Sequence, residues 1–410
     1  MLNLSYRLFV GIDWAKEEHT VCNLDVDQKI LSQRNIKHSG QGIGELADQL
    51  TKLSGGDCGT VAVAIETPRG AVVETLVERG FAVYSLNPKQ MDRFRDRHTV
   101  AGAKDDRRDA FVMADALRTD LHLFHRVKLE DPLIIRIREL SRTEEEVTQN
   151  QVRMGHQLRE LLNRYYPQAL KLCPAVDEPW FWELLELVPL PTAKLPKSKI
   201  GKILHDHRIR RLNGDEIQQA LTEQPLRLAP GAAEAASEHV LLLLPMLRVL
   251  QSQRKELIRR IEALLEQMST EGQYSEHRDV SILLSLPGVG RVVTATMLAE
   301  ASQPLSERDY HALRAYGGTA PITRQSGKRK SVLMRRSCNP RLRDAIYHWS
   351  RVSTQHEQRS KGHYAELRAK GHSHGRALRG VADRLLGVLV AMLNSGTTYD
   401  PELRGKAAAK

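Results

Sequence analysis

Cysteine is scarce in this 410-residue sequence: Cys22, Cys58, Cys173 and Cys338 lie far apart, with no C-x-x-C pair. That spacing argues against a zinc cluster and against the disulfide framework of a small secreted domain, and it points to a reducing cytoplasm. Long apolar runs are missing too. The longest, Val240 to Leu247, is interrupted by Pro245 and falls well short of the roughly 20 residues that span a bilayer. The N-terminus shows no signal-peptide apolar stretch. A soluble cytoplasmic protein without membrane contact is expected. What is present is a globular balance of 41% hydrophobic and 27% charged residues, enough for two or three domains with cores of their own.

Charge is unevenly placed. The net charge is +11, yet residues 280–410 hold 22 Lys and Arg against 9 Asp and Glu, leaving 39 against 41 for residues 1–279. Within the basic third, Arg324, Lys328, Arg329, Lys330, Arg335, Arg336, Arg341 and Arg343 follow one another with no acid until Asp344. A solvated positive face is the bland reading. A nucleic acid is the leading partner, because each phosphate neutralised by such a cluster releases counterions.

At the N-terminal end, Leu8 to Asp13 reads as a strand, and His19 to Val26 and Ile30 to Lys37 supply two more. A helix is expected near Gly44 to Leu53, then a buried strand from Val61 to Glu66, a helix from Arg69 to Gly80, a strand from Phe81 to Leu86, and helices from Pro88 and Asp105. This order is that of an RNase H-like domain. In that topology Asp13 and Glu66 end neighbouring strands and face one cleft. Asp106 and Asp109, at i and i+3 on one helix face, can lie over those ends. Four converging carboxylates repel one another unless hard cations sit between them, and such oxygen sites hold Mg²⁺ or Mn²⁺. Each acid alone would pass for a cap or a surface charge; the pattern, with two acids closing apolar strands, is more specific.

Residues from about 130 to 270 look helical. Ile137, Leu140, Val147, Met154, Leu158 and Leu161 follow a 3-4 spacing broken by Glu144 and Gln151, and Leu243, Leu247, Leu250, Leu257, Ile261, Leu264 and Met268 do so around Arg254. Core packing of two long helices is the plainer reading, and self-association the sharper one. Between them Trp180, Phe181 and Trp182 suggest a small packing cluster in a proline-richer stretch. Further on, Leu286-Pro287-Gly288-Val289-Gly290 reads as a helix-hairpin-helix-like turn. Its free N–H groups around Gly288 and Gly290 can hold a phosphate, and a plain connection fits equally well. In Gln325-Ser326-Gly327-Lys328, Ser326 is a candidate nucleophile amid cations, with Thr323, Ser331 and Ser337 as competitors. His363, His372 and His374 form no metal spacing and read as surface residues.

Taken together, G-I-D-W-A-K, A-I-E-T, K-x-D-R-x-D-A at Lys104 to Ala110, L-P-G-V-G, and G-x-A-P followed by Q-S-G-K resemble the DEDD transposases of bacterial insertion sequences, a group that includes the Piv-type DNA invertases. The likeness covers most of residues 5–120 and 280–390. The resemblance implies a RuvC-like domain at residues 1–125 whose Asp13, Glu66, Asp106 and Asp109 bind Mg²⁺, a coiled-coil region at 126–275, a mainly helical transposase domain at 276–400 that supplies Ser326, and a tail at 401–410. It further implies serine attack on a DNA phosphate, a dimer or tetramer, and a non-coding bridge RNA that pairs with donor and target DNA and so takes over sequence choice. Asp105 stands where the family more often has a small hydroxyl residue, so Asp105 with Asp109, at i and i+4, is an alternative ligand pair. Two rival readings remain: a RuvC-like junction nuclease using metal-activated water, and a non-catalytic nucleic-acid-binding scaffold.

Overall fold

The structure, a computed structural model, describes residues 6–67, 69–86, 88–98, 105–127, 131–191, 195–271, 275–326 and 329–401. The chain divides into two compact units, Met1–Asp131 and Pro132–Lys410.

In the first unit β1 (Leu8–Asp13), β2 (Glu18–Asp25) and β3 (Ile30–Lys37) form an antiparallel meander. There follow α1 (Gly40–Leu53), β4 (Val61–Ile65), α2 (Ala71–Glu78), β5 (Ala82–Ser85), α3 (Pro88–His98), α4 (Asp106–Asp120) and β6 (His125–Arg126). The sheet order is β3-β2-β1-β4-β5-β6, with β1, β4 and β5 mutually parallel. The three central strands are buried on both faces, which is why they read as nearly continuous apolar runs. Alternation assigns their residues to two cores. Leu8, Val10, Ile12, Val63 and Ile65 pack with Leu46 of α1 and Leu76 of α2, while Phe9, Ala62 and Ala64 pack with Ala110, Met113 and Leu117 of α4. Helix α1 begins four residues before the expected Gly44, because the Ser39 side chain accepts a hydrogen bond from the Gly42 N–H and caps it. Strand β6, two residues long, was not expected; so short a strand carries no periodicity.

The second unit opens with α5 (Pro132–Tyr165), α6 (Pro167–Leu170), α7 (Pro179–Leu187), α8 (Lys197–Asp206), α9 (Gly214–Thr222) and α10 (Ala232–Glu271). It continues with α11 (Ser275–Ser285), α12 (Arg291–Glu300), α13 (Ser302–Ser306), α14 (Tyr310–Tyr316), the hairpin β7 (Ile322–Ser326) and β8 (Arg329–Leu333), and α15 (Pro340–His356), α16 (Gln358–Ala369) and α17 (His374–Ser395). Helices α5 and α10 run antiparallel, and two breaks in their apolar spacing meet. The Arg254 Nε donates to the buried Glu144 at 2.9 Å, and the Thr148 hydroxyl donates to the same oxygen at 3.0 Å. One end of the pair packs with Trp180, Phe181 and Trp182 in the core of the short helices. At the other end Ile134, Ile137, Ile261 and Met268 join Leu283, Leu298, Trp349 and Leu386. The stretch expected as a separate helical region therefore shares a core with the C-terminal helices. Among the described residues, no helix is long and apolar enough to cross a membrane.

Replacing Arg254 with Met removes the countercharge of the buried Glu144 and leaves it the Thr148 hydroxyl. The expected loss of stability is about 1–3 kcal/mol, less than for a fully buried pair because the Arg254 side chain is 42% exposed. Adding Glu144→Leu should recover most of it, and thermal denaturation of the two variants checks both statements.

Candidate active site

The first acids are positioned by strand register. Ile12 of β1 lies opposite Ile65 of β4 in a parallel pair, so the next residue of each chain, Asp13 and Glu66, stands at the C-terminal edge of neighbouring strands. Asp13 closes β1 opposite Thr20, and alternation places it on the side of the sheet that α4 covers. A histidine supports the turn behind it: His19 Nδ1 accepts the Ala15 N–H at 3.2 Å, Nε2 lies 2.9 Å from His38 Nδ1, and the ring stacks on Trp14. Burial, and then the neighbouring His38, hold His19 below the usual histidine range, so it stays neutral in this role.

Helix α4 brings the other acids. It lies so close to β1 that a Cβ on Gly11 would come within 1.9 Å of the Ala110 carbonyl oxygen and 2.7 Å of the Ala114 nitrogen. Only glycine permits that approach. Gly11 is two residues before Asp13, on the same face, and Ala110 follows Asp109, so the contact seats the first turn of α4 near the strand ends. Asp106 opens the helix and is exposed, whereas Asp109 is 1% exposed. Asp105 is outside the helix, with φ −145° and ψ 125°, and its side chain caps α4 by accepting the Arg107 N–H. As the N-cap, Asp105 turns its carboxylate to the Arg107 N–H while its carbonyl accepts the Asp109 N–H at 2.9 Å, so its side chain is engaged at the helix terminus.

The partner of Asp109 was not foreseen. Arg95 of α3 grips it with Nε–Oδ1 at 2.6 Å and Nη2–Oδ2 at 2.7 Å, and reaches Asp92 at 2.8 Å. Hydrogen bonding to Asp109 holds the Arg95 guanidinium above its ordinary range; burial opposes this, and the charges of Asp109, Asp92 and Glu66 add to it. Arg95 thus lies within the electrostatic reach of both Glu66 and Asp109. No sequence spacing announces this pairing, because its two residues come from different helices.

The donor set of Asp13, Glu66, Asp106 and Asp109 is all carboxylate, the chemistry of a hard divalent cation, and Arg95 shows that the site already accommodates positive charge. A divalent ion fits these donors in kind. Among the described residues no three of the four acids have oxygens within 4.8 Å of one another, and both Asp109 oxygens are turned to Arg95. Among the described residues one other set meets that distance, Cys173, Asp177 and Glu178. Its Glu178 is occupied by Arg211 at 2.6 Å and Trp180 at 2.7 Å, and burial pushes the Cys173 thiol up, so it stays protonated.

The C-terminal candidates fall into distinct settings. Ser326 ends β7 and pairs in register with Arg329 of β8, as Gln325 does with Lys330. What was expected as a loop is a two-stranded ribbon; Gly327 and Lys328 lie outside the described residues. Of the competitors, Thr323 pairs with Val332 and Ser331 with Arg324, while Ser337 is exposed. At the base of the ribbon Thr319 donates to Asp383 at 3.2 Å, and Arg314 holds that carboxylate with two bonds of 2.8 Å. Arg324 and Arg336 are exposed. The Arg335 Nε donates to the Ala320 carbonyl at 3.3 Å, and Arg343 pairs with Asp344 at 3.0 Å.

Arg341 differs from the phosphate-facing cation expected. Its side chain, 18% exposed, is ion-paired with Glu145 at 2.5 Å and Glu300 at 3.2 Å, so its charge is neutralised inside the protein. Gly288, at φ +81°, is pressed against α15, where a Cβ would come within 2.8 Å of the Ser353 nitrogen. Trp349 and Ser353 both donate to the Pro287 carbonyl. That glycine therefore serves packing. Gly290 caps α12 with open space around it. Of the three histidines, His363 lies 3.6 Å from Glu366 and His374 is 2.8 Å from the Tyr364 hydroxyl.

A mixed sheet of this order, with acids at the ends of β1 and β4 and in the first turn of α4, defines an RNase H-like domain of the DEDD type, a class that implies a divalent metal. A sequence model described as a transposase matches residues 10–167, and one for the transposase IS116/IS110/IS902 family matches residues 280–365. The candidate transposase for the IS117 mini-circle of Streptomyces coelicolor is 31% identical over 408 residues, 97% of this chain and 96% of its own. An uncharacterized 43.6 kDa protein of insertion element IS110 from the same organism is 28% identical, over 97% and 96% of the two chains. The candidate transposase y4uE of Sinorhizobium fredii is 46% identical over 229 residues, 55% of this chain; the match spans 62% of y4uE. The chain belongs to the DEDD-type IS110-family transposases.

Gly11→Ala is expected to push α4 off β1, costing about 1–3 kcal/mol of stability and weakening Mn²⁺ binding, as read by melting and by calorimetric titration. Arg95→Ala leaves the buried Asp109 carboxylate uncompensated and should cost about 2–4 kcal/mol in metal-free buffer. A divalent ion should then raise the melting temperature of this variant more than that of the wild type.

Proposed function

We propose that this protein is a DNA recombinase that moves an insertion sequence, with Ser326 as nucleophile and Asp13, Glu66, Asp106 and Asp109 as the metal-holding acids. The observation that carries the reading is the close approach of α4 to β1 at Gly11, next to the parallel Ile12–Ile65 pairing that Asp13 and Glu66 directly follow in sequence. Mg²⁺ or Mn²⁺ bound by these carboxylates would supply Lewis-acid stabilisation of charge on a phosphoryl oxygen. Ser326 attacks a DNA phosphate: the Oγ–P bond forms, one P–O ester bond breaks, the hydroxyl proton passes to a base, and the departing DNA oxygen takes up a proton. The resulting phosphoserine link conserves the ester until a second DNA hydroxyl displaces the serine and strands are joined. Arg324 and the other cations of the ribbon region favour the charge that develops on phosphorus oxygens.

Resemblance to the family adds a non-coding bridge RNA that chooses donor and target DNA by base pairing, and a homo-oligomer, dimer or tetramer, as the working form. The concentration of positive charge in residues 280–410 supports backbone-directed binding of this kind.

A covalent-trapping assay tests the chemistry. Wild type and Ser326→Ala are each mixed with Mg²⁺, RNA transcribed from the gene's flank and labelled element-end DNA, then resolved on a denaturing gel. A labelled protein band is expected with wild type alone. Cleaved DNA in equal yield from both proteins, with no adduct, would replace serine attack with metal-dependent hydrolysis.

A further inference from the structure

The stretch between the two family-matched regions carries a basic surface of its own. Residues 194–211 hold seven Lys and Arg against the single acid Asp206, in a part of the chain whose overall balance is slightly negative. Helix α8 is anchored from beneath: Ile200, Ile203 and Leu204 are 0, 3 and 8% exposed in the core that contains Trp180 and Trp182. Its outer face is therefore held on a rigid base. Lys199 and Lys202, at i and i+3, stand side by side on that face, and both are exposed.

The chain then turns without leaving the surface. The Ile209 N–H bonds the Leu204 carbonyl at 2.8 Å and the Arg208 N–H bonds that of His205 at 3.0 Å, closing α8 with a left-handed residue, Arg208, at φ +55°. Glycine is the usual occupant of that position. Arg208 and Arg210 are exposed. Two neighbouring cations are already used, Lys197 on Asp215 and Arg211 on Glu178. By contrast Lys199, Lys202, Arg208 and Arg210 make no ion pair among the described residues. Four exposed cations on a fixed scaffold match a polymer with closely spaced negative charges, and the two guanidinium groups suit phosphate oxygens.

We propose that α8 and the loop after it, residues other than the acids and the ribbon of Ser326, form a second phosphodiester-binding face that holds a nucleic-acid backbone without reading its sequence. DNA and RNA share this chemistry, and the test separates them.

The full-length protein carrying Lys199→Glu, Lys202→Glu, Arg208→Glu and Arg210→Glu is compared with wild type by fluorescence anisotropy. Two labelled probes, a DNA duplex and a folded RNA of equal length, are titrated over a salt series. The expected result is affinity lower by about 10- to 100-fold at moderate salt, and a plot of log affinity against log salt shallower by about 2–4. Loss confined to one probe identifies the natural occupant. Unchanged affinity and slope for both probes would overturn the proposal. Should the fourfold variant melt early, Lys199→Glu with Lys202→Glu alone, both on the exposed side of α8, is expected to give about half the change in slope. Ser326→Ala should leave binding by this face intact, so failure of the serine mechanism and failure of this inference give different results.

Discussion

The contact between the backbone of α4 and Gly11 governs where the acids of this protein stand. A helix lying on a sheet is normally held off by side chains on both surfaces. Here glycine on the strand meets Ala110 and Ala114 on the helix, and the two backbones come within van der Waals distance. Strand pairing fixes Asp13 beside Glu66; the Gly11 contact fixes where the first turn of α4 begins relative to them. Once it is seated, one carboxylate on that turn is necessarily buried.

Burying Asp109 poses an energetic problem that the helix terminus cannot solve alone. The positive end of a helix favours a nearby anion by about 0.3–1 kcal/mol, whereas withdrawing a carboxylate from water costs several. Arg95 makes up the difference with two short hydrogen bonds and a full charge. A divalent ion held there, as proposed, would offer Asp109 the same compensation. The location of α3 thus decides how the buried charge of Asp109 is met.

The second unit shows the same economy of charge. Burial acts to raise the Glu300 carboxyl, but hydrogen bonds from Arg142 and Asn339 outweigh it and hold the group below its ordinary value, with the charges of Arg142 and Arg341 assisting. This network joins α5, α12 and α15, and it consumes Arg341, which in the linear sequence is one cation in a run of eight. The run therefore contains residues with different work: Arg341 is internal, Arg335 and Arg343 are partly engaged, and Arg324 and Arg336 face solvent.

Much of the fold was legible because periodicity and burial coincide. The continuous apolar runs of β1 and β4 marked central strands, and the 3-4 spacing marked α5 and α10, including the breaks at Glu144 and Arg254 that become a pair. The acids at strand ends were legible too, since a carboxylate closing an apolar run is unusual wherever the strand lies. The ribbon of β7 and β8 was not, because its exposed residues carry no alternation between core and solvent. Sequence by itself determined which residue types close each strand, how charge divides along the chain and which faces are apolar, all of them properties of near neighbours. Only the tertiary structure decided that Arg95 holds Asp109, that Asp105 caps and does not line the helix, and that Arg341 and Gly288 serve packing. Each of these depends on groups from separate elements meeting in space, and a chain's linear order does not encode distance across a fold.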